Sequence, residues 1–189
     1  MNMHSISKTA FRNINNKLFS AYENSSLESM QDAANEAKME EIVPCIHSCR
    51  VSIDGTCQKS GHSSLNGVVT AVSKGKCLDV IVLSKHCRQC IIWGVTEYTN
   101  WKVAHNCKIN HRKSSEAMES SGAIDIFQQS VSRNKLAYNE YLGDKDTASY
   151  KEVINSKPYE AQFGITPVKL ECVRQVNKQI GSQLRTLVQ

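Results

Sequence analysis

Val51-Ser52-Ile53-Asp54-Gly55-Thr56 is a short β-branched run that ends on a carboxylate and then meets a glycine. A chain leaving a strand in this way presents an acidic side chain at a sheet edge, within reach of a metal or substrate. Asp-Gly is also an ordinary turn signal, so the stretch gains weight only from company. That company is Tyr141-Leu142-Gly143-Asp144-Lys145-Asp146-Thr147, a second strand-then-carboxylate segment. The intervening chain reads as the scaffold that brings the two together.

The 189 residues suit one domain with a helical arm. Hydrophobic content of 40% and charged content of 22% are those of a folded globular chain and not of a disordered one. No run reaches the length of about 18 apolar residues that a membrane helix needs. Met1 to Phe11 lacks an apolar signal core, which argues against secretion. A net charge of +5 permits nucleic acid as a partner without demanding it. Eight cysteines without a secretion signal point to a reducing compartment, where close cysteine pairs serve metals more often than disulfides.

Residues 1–43 read as a helical arm made of two packing helices. Ser7 caps the first, which carries Phe11, Ile14, Leu18 and Phe19; the second runs from Ser26 through Leu27, Met30, Ala33, Ala34 and Ala37. Pro44 ends the arm. Val51–Ile53, Gly67–Val72 and Leu78–Leu83 are then three strands, with Ser73-Lys74-Gly75-Lys76 as the hairpin turn between the last two. Short links make them an antiparallel meander.

Residues 84–115 lose periodicity and read as an insertion. A helix follows, opened by Ser121-Gly122-Ala123 and bearing Ile124, Phe127, Val131 and Leu136. Tyr138–Leu142 is the fourth strand, Thr147–Ile154 a helix and Val168–Val173 the fifth strand. Residues 174–187 form a last amphipathic helix. The predicted class is α/β with a mixed sheet.

This order lets the first and fourth strands lie side by side at the sheet centre, so that carboxylates at their ends face each other. Paired carboxylates repel unless a cation neutralises them, and Mg²⁺ or Mn²⁺ is the natural occupant. Two such ions stabilise the attacking and leaving oxygens of a phosphodiester transfer. Asp54 is the first candidate. Asp144, directly after the strand, and Asp146, at the start of the next helix, compete for the second position.

The insertion carries the sharper local signal. Cys87 and Cys90 form a C-x2-C knuckle, and His105-x-Cys107 follows fourteen residues further on. Together they suit one tetrahedral Zn²⁺ in a structural role, with His111 as the alternative fourth ligand. Cys45-x3-Cys49 lacks a second pair, and Cys57 and Cys77 read as packing residues.

Taken together, several segments resemble the Mutator-like transposase domains. They are Asp54-Gly55-Thr56, Gly61 to Val69, Leu78-Asp79-Val80, Val82 to Lys85, Cys87-x2-Cys90 and His105-x-Cys107. The match continues through Ala117-Met118-Glu119, Tyr141 to Asp144, Ser149-Tyr150-Lys151 and Leu170 to Val173. The resemblance implies an RNase H-like fold over residues 44–189, with the zinc-type insertion at 84–115. It also implies an acidic triad that uses divalent metal to cut and join transposon-end DNA. Asp54 matches the first acid, and Asp144 or Asp146 the second.

The third acid, a glutamate on a later helix, has no match before Gln189, so a partial domain is expected. Other departures accompany it. Cys57 stands where the family carries tryptophan, Lys145 stands between the two acids where glycine is usual, and Gln175 stands at the histidine of a Cys-x2-His element. An amide cannot replace an imidazole as ligand or proton carrier. The expectation is a transposase-derived domain, degenerate and inactive or incomplete. A noncatalytic zinc-stabilised module binding DNA or protein is the alternative. A DNA substrate implies the nucleus; homo-oligomers remain open, and no membrane partner is expected.

Overall fold

A computed structural model describes residues 6–59, 63–92, 107–143 and 148–171. Its sheet is built outward from the hairpin at Ser73-Lys74-Gly75-Lys76. Lys74 and Gly75 adopt positive φ of 50° and 79°, the left-handed pair that a two-residue hairpin needs to follow strand twist. The turn joins β3 (Asn66–Ser73) to β4 (Lys76–Ser84), and β3 pairs back onto β2 (Ile46–Cys57), both antiparallel. Along β3 every second residue is buried, as a sheet covered on one face requires.

The expected meander is therefore present, and so is its neighbour. β5 (Leu136–Gly143) lies parallel to β2, and β6 (Val168–Glu171) parallel to β5. The order is β4-β3-β2-β5-β6, with the short β1 (Glu41–Val43) also pairing with β2. The chain is a mixed α/β protein with a six-stranded mixed sheet and β2 at its centre.

One face is covered by α3 (Ala117–Asn134), whose Met118, Ala123, Ile126 and Phe127 are buried with Val51, Ile53, Val69 and Ala71. Close approach is possible because position 122 is glycine. A Cβ there would stand 2.5 Å from Val69 Cγ2. Phe127 meets Tyr138 edge-on, with ring centroids 5.4 Å apart. The buried hydroxyls of Tyr159 and Ser130 are satisfied together, since they share a 2.7 Å hydrogen bond and Tyr159 accepts another from the Tyr138 amide. β4 and α3 are also tied by an ion pair at 2.7 Å between buried Asp79 and half-exposed Arg133.

Several expectations need correction. The arm is one continuous helix, α1 (Lys8–Ala37), rather than two; Ser7 caps it as expected, accepting from the Ala10 amide at 3.2 Å. α1 meets the rest of the chain toward its C-terminal end, where Ala33, Ala34 and Ala37 are buried and Glu36 pairs with Lys76 at 2.7 Å. The first strand extends well beyond Val51–Ile53 at both ends. α3 starts four residues before Ser121, and Leu136 belongs to β5, because Lys135 turns the chain out of the helix in a left-handed conformation. Cys57 and Cys77 are exposed and do not pack inside. The helix after β5 is α4 (Ala148–Ser156), and a one-turn α5 (Glu160–Phe163) precedes β6. The expected helix at 174–187 and the strand residues beyond Glu171 lie outside the described residues.

Candidate functional site

Because β3 runs against both neighbours and β5 runs with β2, the C-terminal ends of β2, β4 and β5 share one end of the sheet. In open α/β sheets that end is where ligands are held. Asp54 sits there, with a difference from expectation. It does not end its strand but lies within the β2–β3 ladder, opposite Thr70. Its neighbours Ile53 and Gly55 face α3, so alternation turns Asp54 to the opposite face of the sheet, where it is exposed. Among the described residues its carboxylate makes no ion pair or hydrogen bond.

Pairing of β2 with β5 stops at Ser52 and Leu142, and β5 ends at Gly143. The strand that leads into Asp144 thus ends beside the strand that carries Asp54. Asp144 and Asp146 themselves lie outside the described residues, as does Lys145. Lower on the same face Arg50 pairs with Glu140, crossing from β2 to β5.

The same end of the sheet holds a carboxylate that sequence reading did not single out for chemistry. Glu119, in the first turn of α3, lies against Gly55, where an added Cβ would stand 2.6 Å from Glu119 Cγ and 2.9 Å from its Cβ. Its Oε1 accepts a 2.8 Å hydrogen bond from Ser149 Oγ on α4. Glu119 precedes the expected helix opening at Ser121 and carries no local signal of such a position. Only the glycine opposite it, at the Asp-Gly step, hinted that something approaches β2 closely.

The cysteine-bearing segment is anchored to this end as well. After β4 the chain enters α2 (Arg88–Ile92), and on its return Asn110 and His111 donate their amides to the Ser84 carbonyl. Asn110 also accepts from the Ser84 amide and donates to the Val82 carbonyl, continuing the sheet edge through a side chain. Ser115 Oγ then donates to the Ser64 carbonyl, fixing the approach to α3.

Within this segment the Sγ atoms of Cys87, Cys90 and Cys107 all lie within 4.8 Å of one another, and those of Cys90 and Cys107 are 3.6 Å apart. Thiolates about 2.3 Å from a tetrahedral zinc stand roughly 3.8 Å apart, so three of the four predicted ligands are spaced to hold such an ion. Cys87 and Cys90 are buried. Desolvation, and then hydrogen bonding with Cys107 and Cys87, push the Cys90 thiol up to about 11. A thiolate there needs a cation beside it.

Of the two candidates for the fourth ligand, His105 lies outside the described residues. His111 is buried outside the cluster, and its Nε2 donates to the Ser114 carbonyl at 3.0 Å.

Sheet and cluster together define a mixed α/β protein with three cysteines placed to hold a metal such as zinc. The particular family follows from the whole chain: the family model described as Mutator-like transposase matches residues 1–189, and the protein belongs to that family. No curated protein and no solved structure matches the chain. No described helix is long and apolar enough to cross a membrane.

Proposed function

We propose that the chain is a transposase-derived, RNase H-like domain whose ancestral chemistry is metal-dependent cleavage and joining of DNA phosphodiesters. The observation that carries this reading is the parallel register of β2 and β5, which brings the strand ending at Gly143 beside the strand of Asp54. Asp54 and Asp144, with Asp146 as the alternative, would hold the ion. An exposed Asp54 carboxylate, without an ion pair among the described residues, on the face of β2 turned away from α3 fits that role. Mg²⁺ or Mn²⁺ held there would stabilise charge on the attacking and leaving oxygens of the phosphodiester. The strand order, three antiparallel strands continued by parallel ones on the far side of β2, supports the RNase H-like reading.

Activity in this chain is expected to be weak or absent. Lys145 sets a cation between the two acids, and Gln175 replaces an imidazole. Transposon-end DNA is the proposed partner, and the nucleus the proposed location. A nicking and strand-transfer assay with Mn²⁺ and terminal-repeat DNA tests the reading. Little or no cleavage is expected from the isolated chain, and robust cleavage that depends on Asp54 would refute the claim of inactivity.

A second reading is favoured by the cysteine cluster: a zinc-stabilised module that binds DNA or protein without catalysis. It predicts binding that survives Asp54→Asn combined with Asp144→Asn but fails when Cys87 or Cys90 is replaced. Loss of DNA binding in the double aspartate variant, with zinc retained, would exclude it.

A further inference from the structure

Three separate stretches of chain meet at the end of the sheet where β2 and β4 finish and β3 begins. Lys59, two residues past β2, donates its amide to Ser64 Oγ at 3.4 Å. Lys85, one residue past β4, donates its amide to the Leu65 carbonyl at 2.8 Å. The returning segment of the cysteine cluster closes on the same point. Asn110 and His111 give their amides to the Ser84 carbonyl, and Ser115 Oγ donates to the Ser64 carbonyl. Arg88 and Lys108 stand next in sequence to the cluster residues Cys87 and Cys107, and Arg112 and Lys113 follow His111. Hydrogen bonding thus gathers six cations into one patch: Lys59, Lys85, Arg88, Lys108, Arg112 and Lys113. Lys85 is half-buried and the other five are exposed. The four lysines make no ion pair among the described residues.

Residues 57–59, 63–66, 84–92 and 107–116 hold six of the chain's 23 lysines and arginines but, in Glu116, one of its 18 aspartates and glutamates. They therefore carry the chain's whole net charge of +5, and everything outside them sums to neutral. Zinc on three thiolates and a neutral imidazole would remove one unit and leave the patch strongly positive. Charge confined to one end of a fold in this way attracts a polyanion to that end.

We propose that this patch holds the phosphate backbone of duplex DNA without reading its sequence. The choice of DNA over another polyanion rests on the phosphodiester chemistry proposed for Asp54. Asp54 lies three residues before the end of β2, about 10 Å along the strand from the patch, so a duplex held there passes the candidate acids. A duplex presents one negative charge for about every 1.7 Å of its length, an array that lysines and arginines from separate segments can meet. Such contacts fix where the duplex lies and leave the bases unread.

Fluorescence anisotropy of a labelled duplex of arbitrary sequence, titrated with the full chain between about 50 and 200 mM salt, tests it. Circular dichroism confirms the folding of each variant. Lys59→Gln, Lys85→Gln, Lys108→Gln and Lys113→Gln combined should weaken binding at least about tenfold. They should also flatten the slope of log affinity against log salt by about three, since each phosphate contact contributes about 0.9. The same four positions changed to arginine should keep both affinity and slope. Lys8→Gln, Arg12→Gln, Lys17→Gln and Lys38→Gln combined remove equal charge from exposed positions along α1 and should change little. Equal weakening by the two glutamine sets would show that binding follows total charge, and overturns the inference. Binding untouched by the patch set overturns it too, while leaving DNA as the partner through another surface. No binding by the unaltered chain overturns both the patch and the DNA partner on which it rests. Tighter binding of polyglutamate than of the duplex would mark an acidic protein as the partner and likewise overturn it.

Discussion

Ser149 Oγ donates a 2.8 Å hydrogen bond to Glu119 Oε1, joining the first turn of α4 to the first turn of α3 beside Gly55. The bond ties together the strand that carries Asp54, the helix laid over it, and the helix that follows the second acidic segment. Ser149→Ala and Glu119→Ala should each cost about 1 kcal/mol in urea unfolding. The double variant should cost no more than either single one, because one interaction is removed in all three. Additive losses would mean that the two residues act separately.

Gly55 is the other half of this arrangement. Gly55→Ala should destabilise by about 1–3 kcal/mol through overpacking against the Glu119 stem. Glu119→Ala removes the Cγ and carboxylate but keeps the Cβ at 2.9 Å, so part of that loss should disappear in its background and part should remain. A penalty wholly unchanged there would place its cause elsewhere in β2.

Asp79 and Arg133 make a pair sensitive to pH. Desolvation raises the Asp79 pKa, opposed by Arg133, by the Val80 amide and by Gln129. A carboxyl whose folded pKa lies above its unfolded value favours folding when protonated, and that contribution is lost as pH rises through the folded pKa. Arg133→Met leaves the buried carboxylate without its cation and should cost about 3 kcal/mol at neutral pH. The deficit should shrink on acidification, when Asp79 takes up a proton. Unfolding of Asp79→Asn and Arg133→Met followed from pH 7 to pH 4 checks the sign, and a deficit that grew with acid would contradict it.

The cysteine cluster predicts about one zinc per chain by metal analysis. Cys87→Ser, Cys90→Ser and Cys107→Ser should each lower the metal content and the melting temperature. His111→Ala should leave zinc in place, because Nε2 is engaged by the Ser114 carbonyl and the ring lies outside the cluster. His105→Ala should weaken binding. Retention of zinc by the His105 variant together with its loss by the His111 variant would reverse the assignment.

Much of the sheet was legible because its signals are local. Ser73 to Lys76 carries its own turn chemistry, and β-branched runs on either side give the strands. The adjacency of β2 and β5 followed from element order. What was missed depends on contacts between distant parts of the chain. Gly122 looks like a helix opener in sequence; it is glycine because Val69 presses on the middle of α3. The expected helix was carried on to Leu136, five residues past Val131, yet Lys135 ends it without the glycine usual at that position. The two halves of α1 looked separate because Asn24-Ser25-Ser26 are weak helix formers, but nothing there breaks the backbone. Glu119 was invisible as a site neighbour because its partners lie 64 positions before it and 30 after.

Lys145 offers the most direct test of the metal-holding role proposed for the acidic segment. It occupies the position between Asp144 and Asp146. A cation next to two metal-binding carboxylates competes with the metal for their charge. A unit charge about 5 Å away at an effective dielectric of about 40 opposes a divalent ion by roughly 3 kcal/mol, and solvent screening reduces this to about 1 kcal/mol. Lys145→Gly should therefore tighten Mn²⁺ binding about fivefold, measured by the relaxation enhancement of water protons. The gain should vanish in the Asp54→Asn background, because the ion then loses its ligand on β2. Tightening that survived Asp54→Asn would show that the ion binds the Asp144–Asp146 segment alone, and that β2 takes no part in holding it.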